Sequence, residues 1–346
     1  MPSRPYALYA RQDSVHIRWQ TSAPEIGSVT CRPETSGSIA TFREPAAALD
    51  HDVLLTGLAP ATRYVYQNLP GPFDLSFRTA ARPEDDTVRF VVFGDPQNHG
   101  ALAEIMRRAA DTRPDFAIGL GDFAGAATED RFDHFFALAR PLLDHTVLYP
   151  TPGNHDYRRH ARPFDHDNDT ALYDRRLGDG DGNNSVYDQG PVRLILLNYP
   201  DSATLAPDGP RVAWLRQQLK AAAVAGRRVI LAHHCACFTS TAAAWAAEDA
   251  IIPPLAADFP GLVVADFGGH LHTYERSFHP SSQTTFITTG GAGELYDFPP
   301  GAIVNPLEQA AANTLHFCHV EITGGVFSMT AIDRQGKTID HFSQPL

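Results

Sequence analysis

Five apolar runs in this chain end in the same way. FVVFGD (Phe90 to Asp95), FAIGLGD (Phe116 to Asp122), VLYPTPGNHD (Val147 to Asp156), RRVILAHH (Arg227 to His234) and LVVADFGGHLH (Leu262 to His272) each lead straight into Asp, Asn or His. Four of the five polar clusters have a glycine beside them, which lets the chain turn sharply. Runs that are apolar on both faces read as strands buried in a sheet covered on both sides. Amphipathic spacing predicts helices over Ala101 to Ala110, Arg131 to Leu143 and Val212 to Ala225, with closing strands in Thr284 to Ile287 and Phe317 to Ile332. Strand and helix in alternation make an α/β architecture, and open α/β sheets bind ligands outside the carboxyl ends of their strands. Every polar cluster falls there.

Residues 5 to 80 read differently. Val15, Ile17 and Trp19 alternate with polar neighbours, and short alternating runs follow at Val53 to Leu55, Tyr64 to Tyr66 and Leu75 to Phe77, punctuated by Pro, Gly and Ser. This pattern predicts a small all-β antiparallel sandwich over residues 1–82, with TAARPEDD as the linker into an α/β unit over 83–346.

The formal charge of −12 argues against duplex nucleic acid and anionic membranes as partners. Four cysteines, Cys31, Cys235, Cys237 and Cys318, are too few and too scattered for a disulfide framework. No apolar run reaches membrane-spanning length, and the first residues lack a signal-peptide core. The expectation is a cytoplasmic protein if the chain is complete, or a secreted or periplasmic one if a leader has been removed. The oligomeric state is open.

Taken singly, Asp95 suits a helix cap, Asn154 a turn and His233 a satisfied core position. Together with Asp122, His270 and His272 they form a set of carboxylate, amide and imidazole donors suited to first-row metal ions. The donors outnumber what one ion needs. Two ions sharing a carboxylate, about 3.5–4 Å apart, form the usual clamp for in-line phosphoryl displacement. That chemistry predicts a small phosphorylated substrate, attacked by a hydroxide held between the ions.

GDPQ, GDFAG, GNHD, VILAHH and GHLHTYER, in this order, resemble the signatures of the calcineurin-like metallophosphoesterases. GHLHTYER with the later TTGGAGE is similar to purple acid phosphatases, and LAPATRYVY resembles the fibronectin type III-like domain of the plant-type members, with Tyr64 as its corner tyrosine. The resemblance implies a four-layer αββα sandwich behind the small β-domain. It also implies two divalent or mixed-valence ions (Fe, Mn or Zn): Asp122 bridging, Asp95 and His272 on the first, and Asn154, His233 and His270 on the second. His155 would contact phosphate and protonate the leaving oxygen, with Asp156 orienting it.

Two positions depart from the family. Gly125 stands where purple acid phosphatases carry the tyrosine that colours them, and Gln97 where other members place a histidine, so Gln97 offers only a weaker amide donor to the first ion. Arg158, Arg159 and His160 could grip a second anionic group, and His234 would form a pocket wall. The leading expectation is an acid phosphatase-like enzyme hydrolysing a phosphomonoester. The alternatives are a phosphodiesterase or nucleotide hydrolase on the same centre, and a non-catalytic homologue that binds a phosphorylated ligand.

Overall fold

A computed structural model describes residues 3–346 except 36, 69–72, 98–99, 158–169, 180–183, 199–208, 242–250 and 296–299. Two mixed sheets carry the architecture. At the centre of the first lie β6 (Val88–Phe93), β7 (Phe116–Gly119) and β8 (Val147–Pro150), which are parallel and joined through α1 (Leu102–Asp111) and α2 (Glu129–Leu143). Beside β6 the chain closes with β16 (His316–Thr323), β17 (Val326–Asp333) and β18 (Thr338–Pro345), all antiparallel. Phe317 to Ile332, predicted as closing strand, is therefore a hairpin turned at Gly324 and Gly325.

The second sheet runs β15 (Glu308–Ala312), β13 (Tyr274–His279), β14 (Thr284–Thr289), β12 (Val263–Gly269), β11 (Arg228–Cys235), β10 (Val192–Leu196) and β9 (Ser185–Gln189). Residues of both sheets share one core: Phe90 and Val92 from the first, Ile230, Ala232 and Phe267 from the second. A separate aliphatic layer, with Ile195, Val229, Leu231 and Val263, packs the other face of the second sheet against α4 (Pro210–Val224) and α5 (Ile252–Ala257). Apolar residues on α1 recur as Leu102, Ile105, Met106 and Ala109, the spacing that buries one helical stripe. The result is the expected α/β sandwich, preceded by a β-rich N-terminal region.

That region comprises β1 (Tyr6–Leu8), β2 (Ser14–Pro33), β3 (Ala40–Thr56), β4 (Arg63–Gln67) and β5 (Leu75–Arg78). Val15, Ile17 and Trp19 alternate inward as the sequence suggests. Tyr64 is buried and its hydroxyl accepts the Ala59 N–H at 2.8 Å, closing the corner. Hydrogen bonding does not stop at residue 82. β1 pairs with β2 and, in parallel, with β8 at Leu8 and Leu148, so all five strands continue the first sheet. α3 (Ala171–Arg176) is clamped to the same region: Tyr6 donates to the Arg176 carbonyl at 2.8 Å, and Arg18 to the Gly178 carbonyl at 2.6 Å. Arg176 itself is buried on Glu129 at 2.7 Å and Asp133 at 2.6 Å.

No helix among the described residues is long and apolar enough to cross a membrane. All four cysteines are free thiols and buried.

Candidate metal centre

The carboxyl ends of β6, β7, β8, β11 and β12 meet at one point. The loops after β6 and β7 are tied backbone to backbone: Asp95 N–H donates to the Gly121 carbonyl and Gln97 N–H to the Asp122 carbonyl, both at 3.1 Å. His270 N–H donates to Asp95 Oδ2 at 2.8 Å, joining the fifth loop to the first. Asp95, Gln97, Asp122 and His270 all have left-handed backbone, with φ of 57°, 38°, 53° and 65°. Non-glycine residues there are strained, and such strain concentrates at functional sites. At Gly153, a Cβ would lie 2.2 Å from Asp122 Oδ1 and 2.3 Å from its backbone nitrogen. Only glycine lets the third loop come this close to the second.

The donors converge as a cation would require. His234 Nδ1 lies 2.7 Å from the Leu120 carbonyl, which can only accept, so Nδ1 carries the proton and Nε2 presents a lone pair. That lone pair is 3.0 Å from Asn154 Oδ1, 3.1 Å from His270 Nδ1 and 3.5 Å from Asp122 Oδ1. Nitrogen and oxygen donor atoms gathered this closely suit a shared cation. Asp122, His234 and His270 offer donor atoms within 4.8 Å of one another. Beside them Asp95 Oδ1 is buried with no hydrogen-bond partner, and His272 Nε2 is 3.5 Å from it. An orphaned buried carboxylate oxygen fits a metal ligand and is otherwise costly.

One residue expected in this cluster lies outside it, and its neighbour lies within. His233, assigned to the second ion from the sequence, turns away from this cluster, and its Nε2 sits 3.0 Å from both oxygens of Asp266. The reason is the two-residue period of the strand. Along β11, Ile230 and Ala232 face the core between the sheets, whereas Val229 and Leu231 face the helix layer. His234 follows the first set and His233 the second. His234, expected at the pocket wall, lies in the cluster, and His233, expected in the cluster, does not.

A model of the calcineurin-like phosphoesterases matches residues 88–274, more than half of the chain. The chain belongs to the calcineurin-like phosphoesterase family. In fold it is similar to a purple acid phosphatase, PPD1, from yellow lupin (Lupinus luteus) seeds: 14% identity and a TM-score of 0.81, covering 99% of this chain and 74% of that one. PhoD superposes with a TM-score of 0.74 at 11% identity over 97% of this chain and 91% of its own. A dimetal phosphatase from Danio rerio gives 0.55 at 15% identity, over 75% of this chain and 99% of that one. A comparison with the curated proteins finds no match. Membership in the calcineurin-like phosphoesterases supports metal-dependent hydrolysis of phosphoesters, with divalent ions as the cofactor.

Within this calcineurin-like centre the titrating groups are tuned by burial and by one another. Burial pushes the Asp95 carboxyl up. Burial also acts to raise Asp122, but His234, His155 and His270 around it hold its carboxyl below the usual range. His270 is pushed down to about 3, by burial and then by His234, so its ring is neutral and able to bind metal. Burial opposes protonation of His272 as well, yet the Asp95 carboxylate beside it raises its pKa.

His155 stands at the mouth with 39% of its side chain exposed and Nε2 3.9 Å from Asp122 Oδ2. Its Nδ1 is held by the Gly125 carbonyl at 3.0 Å, which fixes the proton on Nδ1 and leaves Nε2 for exchange. Asp156 does not perform the orienting role expected of it. It is fully buried and accepts the backbone N–H groups of Asp122 and Gly153, each at 2.8 Å, so it holds the loops and not the histidine. Burial and the nearby Asp122 push its carboxyl well above the usual range.

Gln97 Nε2 donates to Asp122 Oδ2 at 3.1 Å, so its amide steadies the Asp122 carboxylate. A Cβ on Gly125 would meet only the Gln97 carbonyl, at 3.7 Å, so the position has room for a side chain that this chain does not supply. In the fifth loop, Glu275 accepts Ser240 N–H at 2.7 Å, while Tyr274 and Arg276 bond Asp340. Arg158, Arg159 and His160 lie outside the described residues. The Gly125 carbonyl escaped the sequence reading because a backbone acceptor leaves no residue-type signal.

Proposed function

We propose that this chain is a phosphomonoesterase working with two divalent ions. The observation that supports this reading is the cluster itself: Asp95, Asp122, Asn154, His234, His270 and His272 on five strand ends, with His155 at the opening. Asn154, His234 and His270 would hold one ion, Asp95 and His272 the other, and Asp122 both. Bound there, such ions supply Lewis acidity, drawing charge from phosphoryl oxygens and making water nucleophilic near neutral pH.

The chain's own groups do the rest. His155 gives a proton from Nε2 to the departing ester oxygen, its ring aimed by the Gly125 carbonyl. Asp122 is kept in place by three contacts: its backbone N–H on Asp156, its Oδ1 on the His155 N–H at 2.8 Å and its Oδ2 on Gln97. A net negative protein thereby meets an anionic substrate at a locally cationic point.

The test is hydrolysis of a chromogenic phosphomonoester and of the matching bis-ester by metal-depleted protein, before and after adding manganese, iron or zinc. Metal-restored turnover that favours the monoester is expected. Turnover of the bis-ester alone would transfer the reading to a diesterase, and two ions bound without turnover would leave a phospholigand-binding homologue.

A further inference from the structure

The second set of metal-type donors lies on the opposite face of β11 and β12. His233, Cys237 and Asp266 are 0%, 3% and 1% exposed and offer a ring nitrogen, a thiol sulfur and a carboxylate oxygen within 4.8 Å of one another. Cys237 Sγ is 3.6 Å from Asp266 Oδ1, and His233 Nε2 is 3.0 Å from both Asp266 oxygens. Tetrahedral zinc, with bonds of about 2.3 Å to sulfur and about 2.0–2.2 Å to nitrogen and oxygen, spaces its donors roughly 3.3–3.6 Å apart. Asp266 is within tenths of an ångström of that spacing from both His233 and Cys237. Because Asp266 turns both oxygens to the ring, it can supply one donor or two.

The surroundings make the set unusual. Cys237 belongs to the aliphatic layer of Ile195, Leu231, Leu255 and Val263. Burying a carboxylate and an imidazole in such a layer costs several kcal/mol in desolvation unless their charges are neutralised at close range. A neutral imidazole, a thiolate and a carboxylate sum to −2, which one divalent ion cancels. Mixed sulfur, nitrogen and oxygen donors suit zinc better than magnesium or calcium.

We propose that His233, Cys237 and Asp266 form a second, structural metal site that binds a zinc-class ion behind the catalytic cluster. Such an ion ties the end of β11, which carries His234, to β12, which leads into His270. It would hold two donors of the inner cluster from the rear without touching substrate. The inner cluster is built from carboxylate, amide and imidazole, so a thiolate bond is the signature of the outer one.

Cobalt(II) is the probe. Full-length protein freed of metal and titrated with cobalt should develop intense thiolate-to-cobalt absorption in the near ultraviolet. Cys237→Ser should abolish that band and lower the bound-ion count by one per chain, and Asp266→Asn should weaken cobalt binding at the band by tenfold or more. Cys235→Ser should keep the band. Cobalt uptake by the wild-type protein without thiolate absorption overturns the proposal, whatever the variants do, so a misfolded variant cannot shelter it. A band that survives Cys237→Ser, or disappears in Cys235→Ser, overturns the ligand assignment. None of these outcomes depends on phosphatase turnover.

Discussion

His233 and His234 are consecutive residues of one strand, yet they belong to different chemistries. The inner face of β11 opens at its end to a cluster reached from solvent past a half-exposed His155; the outer face is sealed by an aliphatic layer. Donor types are similar on the two faces. What separates a reactive centre from a structural one is access. On the inner face His234 Nε2 and Asn154 Oδ1 oppose each other; on the outer face His233 is committed to Asp266.

The largest test of this contrast is to truncate each histidine in turn. His234→Ala should reduce turnover to background and lower metal affinity. His233→Ala should change turnover per folded molecule far less, while costing about 3–5 kcal/mol of stability, because it leaves Asp266 buried without its ring partner. Chemical denaturation and steady-state rates on both variants decide it. If His233→Ala abolishes turnover and His234→Ala does not, the two faces have been exchanged.

His155 is the next largest effect expected. His155→Ala should keep its metal content and lose about 10²–10⁴-fold in rate on esters with poor leaving groups, with much smaller losses where the leaving group needs no proton. Equal losses across leaving groups would remove His155 from the proton-donating role and leave it as a phosphate contact.

Asp156→Asn probes the support beneath the centre. Both short backbone bonds end on Oδ2, so an amide oxygen there keeps them, but the new NH2 group then faces the Ala124 N–H that Oδ1 accepts at 3.4 Å, and the loop carrying Asp122 should be displaced slightly. Losses of about 10–100-fold in metal affinity or rate are expected, as for groups that hold ligands indirectly. If Asp156 instead oriented His155, the loss would depend on the leaving group as it does in His155→Ala.

How much of this was legible in the sequence follows from what each residue must satisfy. Strands β6, β7, β11 and β12 are buried on both faces, so they appear as continuous apolar runs, and the polar residues ending them stand out. The same continuity hides which of His233 and His234 points inward, since an apolar run carries no alternation to count from. β15 and β18 are half-exposed edge strands, Glu308–Ala312 and Thr338–Pro345, with little apolar signal. The link between the N-terminal region and the main sheet depends on Tyr6–Leu8, three residues whose pairing with β8 no local pattern announces. The orienting role that the resemblance implies for Asp156 is not legible from its own surroundings. Its partners are backbone amides, which residue types do not reveal.

The smallest effect lies at His316, on the first sheet behind the TTGGAGE loop. Its ring is fully buried, with Nδ1 2.9 Å from the Thr314 carbonyl and Nε2 3.0 Å from Thr289 Oγ1. Burial pushes its pKa down to about 4, against roughly 6.5 for an unfolded histidine. Above pH 6.5 the ring is neutral in both states and contributes no pH dependence. Between 6.5 and 4 the unfolded chain takes up the proton and the folded one does not. Stability therefore falls as pH falls through that window, by up to about 1.4 kcal/mol per pH unit from this residue, and levels off below 4. His316→Gln keeps hydrogen-bonding capacity without the titration, so its stability should fall less steeply from pH 6.5 to 4 than that of the wild type. Parallel slopes would mean that the folded protein protonates His316 as readily as the unfolded chain does, and that the loop beside the metal centre is open to water in a way its packing does not show.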